Sequence, residues 1–257
     1  MILVALLRMV LIFGGYMLSL LLVAMAADSA ADAETARIAA IADVVFVSGE
    51  RNKIDDDASR TATKTLTPLL DTPQAITVID ESFVETADMR SMADVLRYTP
   101  GASMGQGEGH RDAPTLRGNA STADFFVDGV RDDVQYYRDL YNADRIEILK
   151  GPNAMIFGRG GGGGVINRVT KRADGERVRD ITLSGGALGE ARATADIGGA
   201  VAERAALRVN AFYENADSYR DYVGLERFGV NPTASVAIAD DTDLQFSFEL
   251  LRDDRTV

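Results

Sequence analysis

The sequence predicts an α+β domain, a small mixed sheet with short helices, followed by about five antiparallel strands of a transmembrane β-barrel that this chain leaves incomplete. Three observations carry that prediction. The middle of the chain alternates short apolar runs with short helical patterns. The last eighty or so residues alternate apolar and polar side chains with period two, with no helix between the runs. An apolar stretch, Met9 to Ala27, precedes both and carries no charge.

That stretch follows Arg8 and exits through Ala24-Met25-Ala26, the pattern of a secretory signal peptide over residues 1–27. Its length also meets the minimum for a membrane-anchoring helix. Residues 28–70 are rich in Asp, Ala and Thr and lack periodicity, so a flexible segment is expected there. One apolar burst interrupts it, Val44-Val45-Phe46-Val47.

Within 71–172, Ala75–Ile79 reads as a strand, and 81–87 and 91–98 as short helices, the second stopped by Pro100-Gly101. Further strands are expected at 115–117, 125–127, 146–149 and 165–170, with a helical turn at 153–157. From 177 to 257 five alternating segments follow. Ala191, Ala193, Ala195 and Ile197 oppose Arg192, Thr194 and Asp196. Leu207, Val209, Ala211 and Tyr213 oppose Arg208, Asn210 and Glu214, with Phe212 out of pattern. Leu244, Phe246, Phe248 and Leu250 oppose Gln245, Ser247 and Glu249. An antiparallel sheet on a soluble core would alternate too. Charges on the polar face and connections of unequal length favour a barrel wall, with short turns near 198–203 and 239–242 and a long outer loop over 215–226.

Composition narrows the chemistry. The 257 residues carry a formal charge of −12, one His (His110) and no Cys. Disulfides, thiolate metal sites and thiol catalysis are excluded, and a His-based triad or metal centre is disfavoured. The acidic balance speaks against nucleic acid as a partner. The glycine run 160–164 fails as a nucleotide site: Gly151 to Gly158 is too long for a P-loop, and Arg159 stands where Lys-Ser/Thr is needed. The run also leads into a strand, so no helix N-terminus awaits a phosphate. Its use is close backbone packing.

Several motifs then agree in order. Asp71-Thr72-Pro73-Gln74-Ala75-Ile76-Thr77-Val78-Ile79, Asp94-Val95-Leu96-Arg97-Tyr98-Thr99-Pro100-Gly101, Leu116-Arg117-Gly118, Phe126-Val127-Asp128-Gly129-Val130 and Arg145-Ile146-Glu147-Ile148-Leu149-Lys150-Gly151-Pro152 resemble the plug domain of TonB-dependent outer-membrane receptors. The Pro-Gln opening and the segment 128–139 are most similar to the ferric-siderophore branch. The resemblance implies a receptor in the bacterial outer membrane that binds a ferric siderophore, makes and breaks no bond, and needs no cofactor, the iron arriving as its chelate. It implies a TonB-type coupling protein as partner, met by added-strand pairing with Asp43, Val44, Val45, Phe46 and Val47 in a box at 43–48. Loops at the plug apex would hold the ligand, here Gln106, His110 and Arg111, then Asn119, then Tyr136, Tyr137 and Arg138. Arg117, Glu147, Lys150 and Arg159 look like the charged positions between plug and barrel.

Two rivals stand beside this reading. One is a receptor of the same family for haem, cobalamin or a glycan. The other is a soluble envelope binding module with a β-rich tail. Plugged barrels have about 22 strands, so a chain that stops at Val257 is expected to be the N-terminal part of a longer receptor.

Overall fold

The computed structural model describes residues 59–256 except 66, 159–161, 188 and 240–241. The leader at 1–27, the box at 43–48, Arg159 and part of the glycine run therefore lie outside the described residues.

The α+β domain is built on two small sheets. β1 (Ala75–Asp80) leads into α1 (Glu81–Thr86), whose first turn is capped by Asp80 accepting from the Phe83 N–H at 2.8 Å. α2 (Met92–Arg97) starts from a reciprocal cap between Ser91 and Asp94. β2 (Ala102–Gly105), β3 (Ala113–Leu116) and β4 (Asn119–Ala120) form an antiparallel sheet. β5 (Phe125–Val127), β6 (Val130–Arg131), β7 (Ala143–Lys150) and β8 (Gly164–Thr170) join β1 in the order β1-β7-β8-β5-β6, with β5 parallel to β8. A helical turn at Ala154–Phe157 precedes β8.

Both faces of the five-stranded sheet are packed. Ile146, Ile148 and Ile166 meet Val84, Met92, Val95 and Leu96 of the two helices. On the other face Leu149 and Val165 meet Ala62, Phe126 and Phe157. Side chains of this size stabilise the fold by about 1.5–3 kcal/mol each. The glycine run ends where no side chain fits: a β-carbon at Gly163 would lie 2.2 Å from the Leu116 carbonyl oxygen, joining the two sheets at van der Waals distance.

After residue 177 the chain changes to long antiparallel strands. β9 (Val178–Gly185), β10 (Ala191–Ala202), β11 (Ala205–Asp217) and β12 (Gly224–Ala239) pair in succession. β13 (Thr242–Ser247) and β14 (Leu250–Thr256) both pair with β12 and continue one register. The result is an open six-stranded wall. The strands outrun their sequence patterns. β11 and β12 extend to Asp217 and back to Gly224, so the long outer loop expected over 215–226 shrinks to residues 218–223. Towards that loop the outward face turns polar, with Asn215, Asp217 and Glu226, while the pair Ala216 and Leu225 lies inward, so the alternation inverts although the ladder continues.

The segment expected as one strand over 244–250 is divided at Phe248 and Glu249, opposite Pro232. Phe248 N–H donates to the Pro232 carbonyl at 3.1 Å, but proline has no N–H to return. Asn231 supplies the donor instead, its Nδ2 reaching the Phe248 carbonyl at 2.8 Å.

The wall is inside-out by the standards of a soluble protein. Leu207, Val209, Val236, Ile238, Leu244, Phe246 and Phe248 are exposed, whereas Arg192, Asp196, Asn210, Glu214, Arg227 and Asn231 are buried against the α+β domain. From Ile238 to Phe228 the outward face of β12 is apolar over ten residues. That is about 33 Å of strand, and at the usual barrel tilt it matches an apolar band about 25 Å tall.

Candidate functional site

Two arrangements carry chemistry: a cleft on the long-loop side, and the buried seam between domain and wall. At the first, the loop after β2 meets the segment before β7. Tyr137 Oη donates to the Gln106 carbonyl at 3.0 Å. Arg111 donates to Gln135 Oε1 at 3.0 Å, pairs with Glu108 at 2.6 Å and lies 3.1 Å from His110 Nε2. Gln106, His110, Arg111 and Tyr137 are thus brought together. A cleft of about 560 Å³ opens beside them between α2, β2 and the inward faces of β12 and β14. Its lining includes Arg97, Met104, Gln106, Tyr137, Arg227 and Arg255. The Arg255 guanidinium stacks 4.0 Å from the Tyr137 ring centroid.

Three of the residues expected at the apex are elsewhere or turned inward. Arg138 is 2% exposed. It pairs with Asp132 at 3.0 Å, donates to the Val134 carbonyl at 2.8 Å and stacks 3.8 Å over Phe125. That guanidinium is spent inside the domain. Tyr136 turns the same way: its hydroxyl donates to Asp132 at 2.9 Å, and burial, with the nearby Asp132 charge, pushes its pKa up to about 12. Asn119 sits opposite Leu116, at the far end of its sheet from the Gln106–Asp112 loop, which joins Gly105 to Ala113. It lies beside Gly162 and Gly163 instead.

The seam is held by ion pairs at residues other than those expected. Asp139, fully buried at the start of the Asp139–Asn142 segment, receives Arg192 of β10 through two bonds of 2.7 and 2.9 Å, and Arg227 of β12 at 3.0 Å. Glu214 of β11 binds the same two arginines at 2.6 Å each. Both guanidiniums face the ring of Phe212, which packs 4.7 Å from the Tyr141 ring. Nearer the short turns, Lys171 bridges Glu81 at 2.5 Å and Asp196 at 2.9 Å, and Arg208 also binds Asp196. At the break between β13 and β14, Glu249 accepts from Arg168, Tyr141 and Asn142 at 3.0–3.2 Å.

The charged positions expected at this seam are placed differently. Glu147 is fully buried, but its partners are Thr61, Arg145 and Asn167, all on the domain side. Arg117 and Lys150 line a groove with Gln74, Asn153 and Met155 and pair with no carboxylate among the described residues. Arg117 also ends β3 in a left-handed turn, φ 49°, so the strand stops one residue earlier than its pattern.

Burial holds the Glu147 carboxyl above its ordinary 4.5, against the hydrogen bonds of Thr61, Asn167 and Arg145. The folded chain therefore keeps this proton more tightly than the unfolded one. The stability it adds is complete below about pH 4.5 and is lost as pH rises through the raised value. Glu147→Gln is expected to remove that part of the slope. Melting temperatures at about pH 4.5 and 7.5 should differ less in the variant than in the parent.

The sequence motifs, the inside-out wall and the seated α+β domain converge with comparisons to known proteins. Residues 68–165 match the TonB-dependent Receptor Plug Domain family. Over 203 residues the chain is 32% identical to a protein of Bordetella pertussis named a probable TonB-dependent receptor, BfrD, covering 77% of this chain and 27% of that protein. It is 29% identical over 216 residues to a probable TonB-dependent siderophore receptor, PiuA, of Acinetobacter baumannii, covering 80% and 28%. Its fold resembles the open form of the ferric-catecholate import receptor Fiu of Escherichia coli, with a TM-score of 0.70 at 28% identity over 76% of this chain and 29% of that one. The chain spans about a quarter of the length of the curated relatives it matches. The motifs, the plug-domain match, the identity to a TonB-dependent receptor and the likeness of fold agree, and the chain belongs to the TonB-dependent receptor family.

Proposed function

We propose that this chain forms the cargo-facing plug, and the wall beside it, of a receptor that takes up a ferric siderophore and is driven by a TonB-type coupling protein. Its setting is the bacterial outer membrane, and the family is one of transport receptors rather than enzymes. One observation carries the cargo assignment: the cleft on the long-loop side joins arginines 97, 227 and 255 to the Tyr137 ring. Guanidinium groups donate charge-assisted bonds and stack on flat rings, and Tyr offers an apolar face with a polar tip. A bulky, anionic, aromatic ferric chelate satisfies both. The β-branched run at 43–47 suits strand addition to the coupling protein.

The test is binding of a ferric tris-catecholate to the receptor in outer-membrane vesicles. Arg255→Ala is expected to weaken binding about tenfold, the loss of one charged, stacked donor. Equal affinity in parent and variant would overturn the assignment. So would binding of haem or cobalamin with no response to the chelate.

A further inference from the structure

Arg227 belongs to two sites at once. Its Nε and Nη2 bind Glu214 at 2.8 and 2.6 Å, and Nη2 also lies 3.0 Å from Asp139 of the plug. The same side chain lines the cleft with Tyr137 and Arg255. Its Nη1 has no hydrogen-bond partner among the described residues. Arg192, the other cation bound by Asp139 and Glu214, lines a separate cavity with Tyr141 and Lys171. One guanidinium thus lines the cleft with one nitrogen unbonded, while its other nitrogens hold plug and wall together.

We infer that Arg227 couples filling of the cleft to the grip of the wall on the plug, an inference that rests on the proposed anionic cargo. In this cluster two carboxylates, Asp139 and Glu214, face two guanidiniums, Arg192 and Arg227, so their charges balance. An anion taken up by Nη1 places further negative charge beside both carboxylates, in surroundings largely shielded from water. Charges a few ångströms apart repel strongly there. A loaded cleft and a tight seam therefore oppose each other, and linkage makes the opposition mutual. Arg192 is untouched, so the Asp139–Glu214 cluster loosens at one of its two arginines and the rest of the seam stays closed. A neutral chelate, filling the same space, has no such effect.

These 257 residues hold no cysteine, so a thiol introduced among them reports on the seam when its own labelled peptide is quantified by mass spectrometry. Leu140→Cys places it beside Asp139 at a position 4% exposed, and Ala143→Cys, 2% exposed, serves if the first variant does not assemble. The readout is the rate of maleimide labelling of the receptor in outer membranes. Ferric tris-catecholate, an anion, is the probe and neutral ferric tris-acetohydroxamate the comparison, with binding followed separately by tyrosine fluorescence. The anionic chelate is expected to speed labelling about fivefold, the lower end of ordinary coupling, and the neutral chelate to leave it unchanged. Arg227→Lys, one ammonium in place of a fork, should still bind the anion through Arg97 and Arg255 but lose the acceleration. Labelling that stays unchanged with the anion bound overturns the inference. Equal acceleration by both chelates, or in Arg227→Lys, does the same. Absence of chelate binding overturns the cargo reading, and this inference with it.

Discussion

Asp139→Ala should cost the seated plug about 3–5 kcal/mol, the penalty for removing one partner of a buried charge cluster. The parent carboxylate is fully buried and takes three guanidinium contacts from Arg192 and Arg227. It also caps its own segment by accepting from the Tyr141 N–H at 2.9 Å. Without it, two buried arginines share Glu214 alone, and the seam carries an uncompensated positive charge. Asp139→Asn should lose less, since its amide oxygen can still accept from Tyr141. Asp133→Ala makes the comparison: its side chain is 57% exposed and its contact with Arg131 is long at 3.6 Å, so a change within about 0.5 kcal/mol is expected. Urea unfolding in detergent micelles, with proteolysis of the plug as a second probe, measures all three. Equal stability of Asp139→Ala and Asp133→Ala would show that the ion cluster does not seat the plug.

Gly229→Val should be nearly as damaging, for a reason of shape. Gly229 pairs with Phe212 across the ladder, and a β-carbon there would lie 2.6 Å from Cε1 of Phe212 and 3.1 Å from Cζ of Tyr141. The ring of the wall lies over a bare backbone, and the ring of the plug lies against both. A branched side chain must displace one ring or the other, at about 1–3 kcal/mol for overpacking plus the lost aromatic pair, about 0.5–1.5 kcal/mol. Phe212→Leu in the same chain should recover part of the loss by making room. Gly199→Ala is the gentler counterpart, because the nearest atom its β-carbon meets is Cα of Arg177 at 3.8 Å, an ordinary contact. Thermal unfolding of the parent and these variants orders them, and a Gly229→Val protein as stable as Gly199→Ala would refute the socket.

Much of the wall was legible in the sequence because a lipid-facing strand obeys a strict rule. Arg192, Asp196, Asn210, Glu214 and Glu249 stand on the polar side of their alternation, and the structure turns each of them inward. Phe212 stood out as the residue that broke the pattern, but its reason is Tyr141, distant in the chain and invisible to any local period. The plug partners were less legible. The segment 132–142 has no period, so nothing in it says which side chain points where. Arg138 was expected to face the ligand and Asp139 drew no notice, yet Arg138 is wrapped in its own loop and Asp139 meets the wall. The same limit applies to Asn119, which turn residues alone cannot assign to one end of a sheet or the other. Glu147 carried the right burial but the wrong neighbours, because a charge in a strand does not announce whether it pairs within its sheet or beyond it.

Pro232 and Asn231 bind each other's fates. Within hydrocarbon a carbonyl left without a donor is costly, so proline at the middle of β12 is tolerable only while the neighbouring amide lends its hydrogen to Phe248. Asn231→Leu in this background should impair assembly, whereas the same change combined with Pro232→Ala should pass almost unnoticed. The two positions are therefore ordered in descent: a lineage could accept the ring only after it had the amide, and can discard the amide only after it has lost the ring.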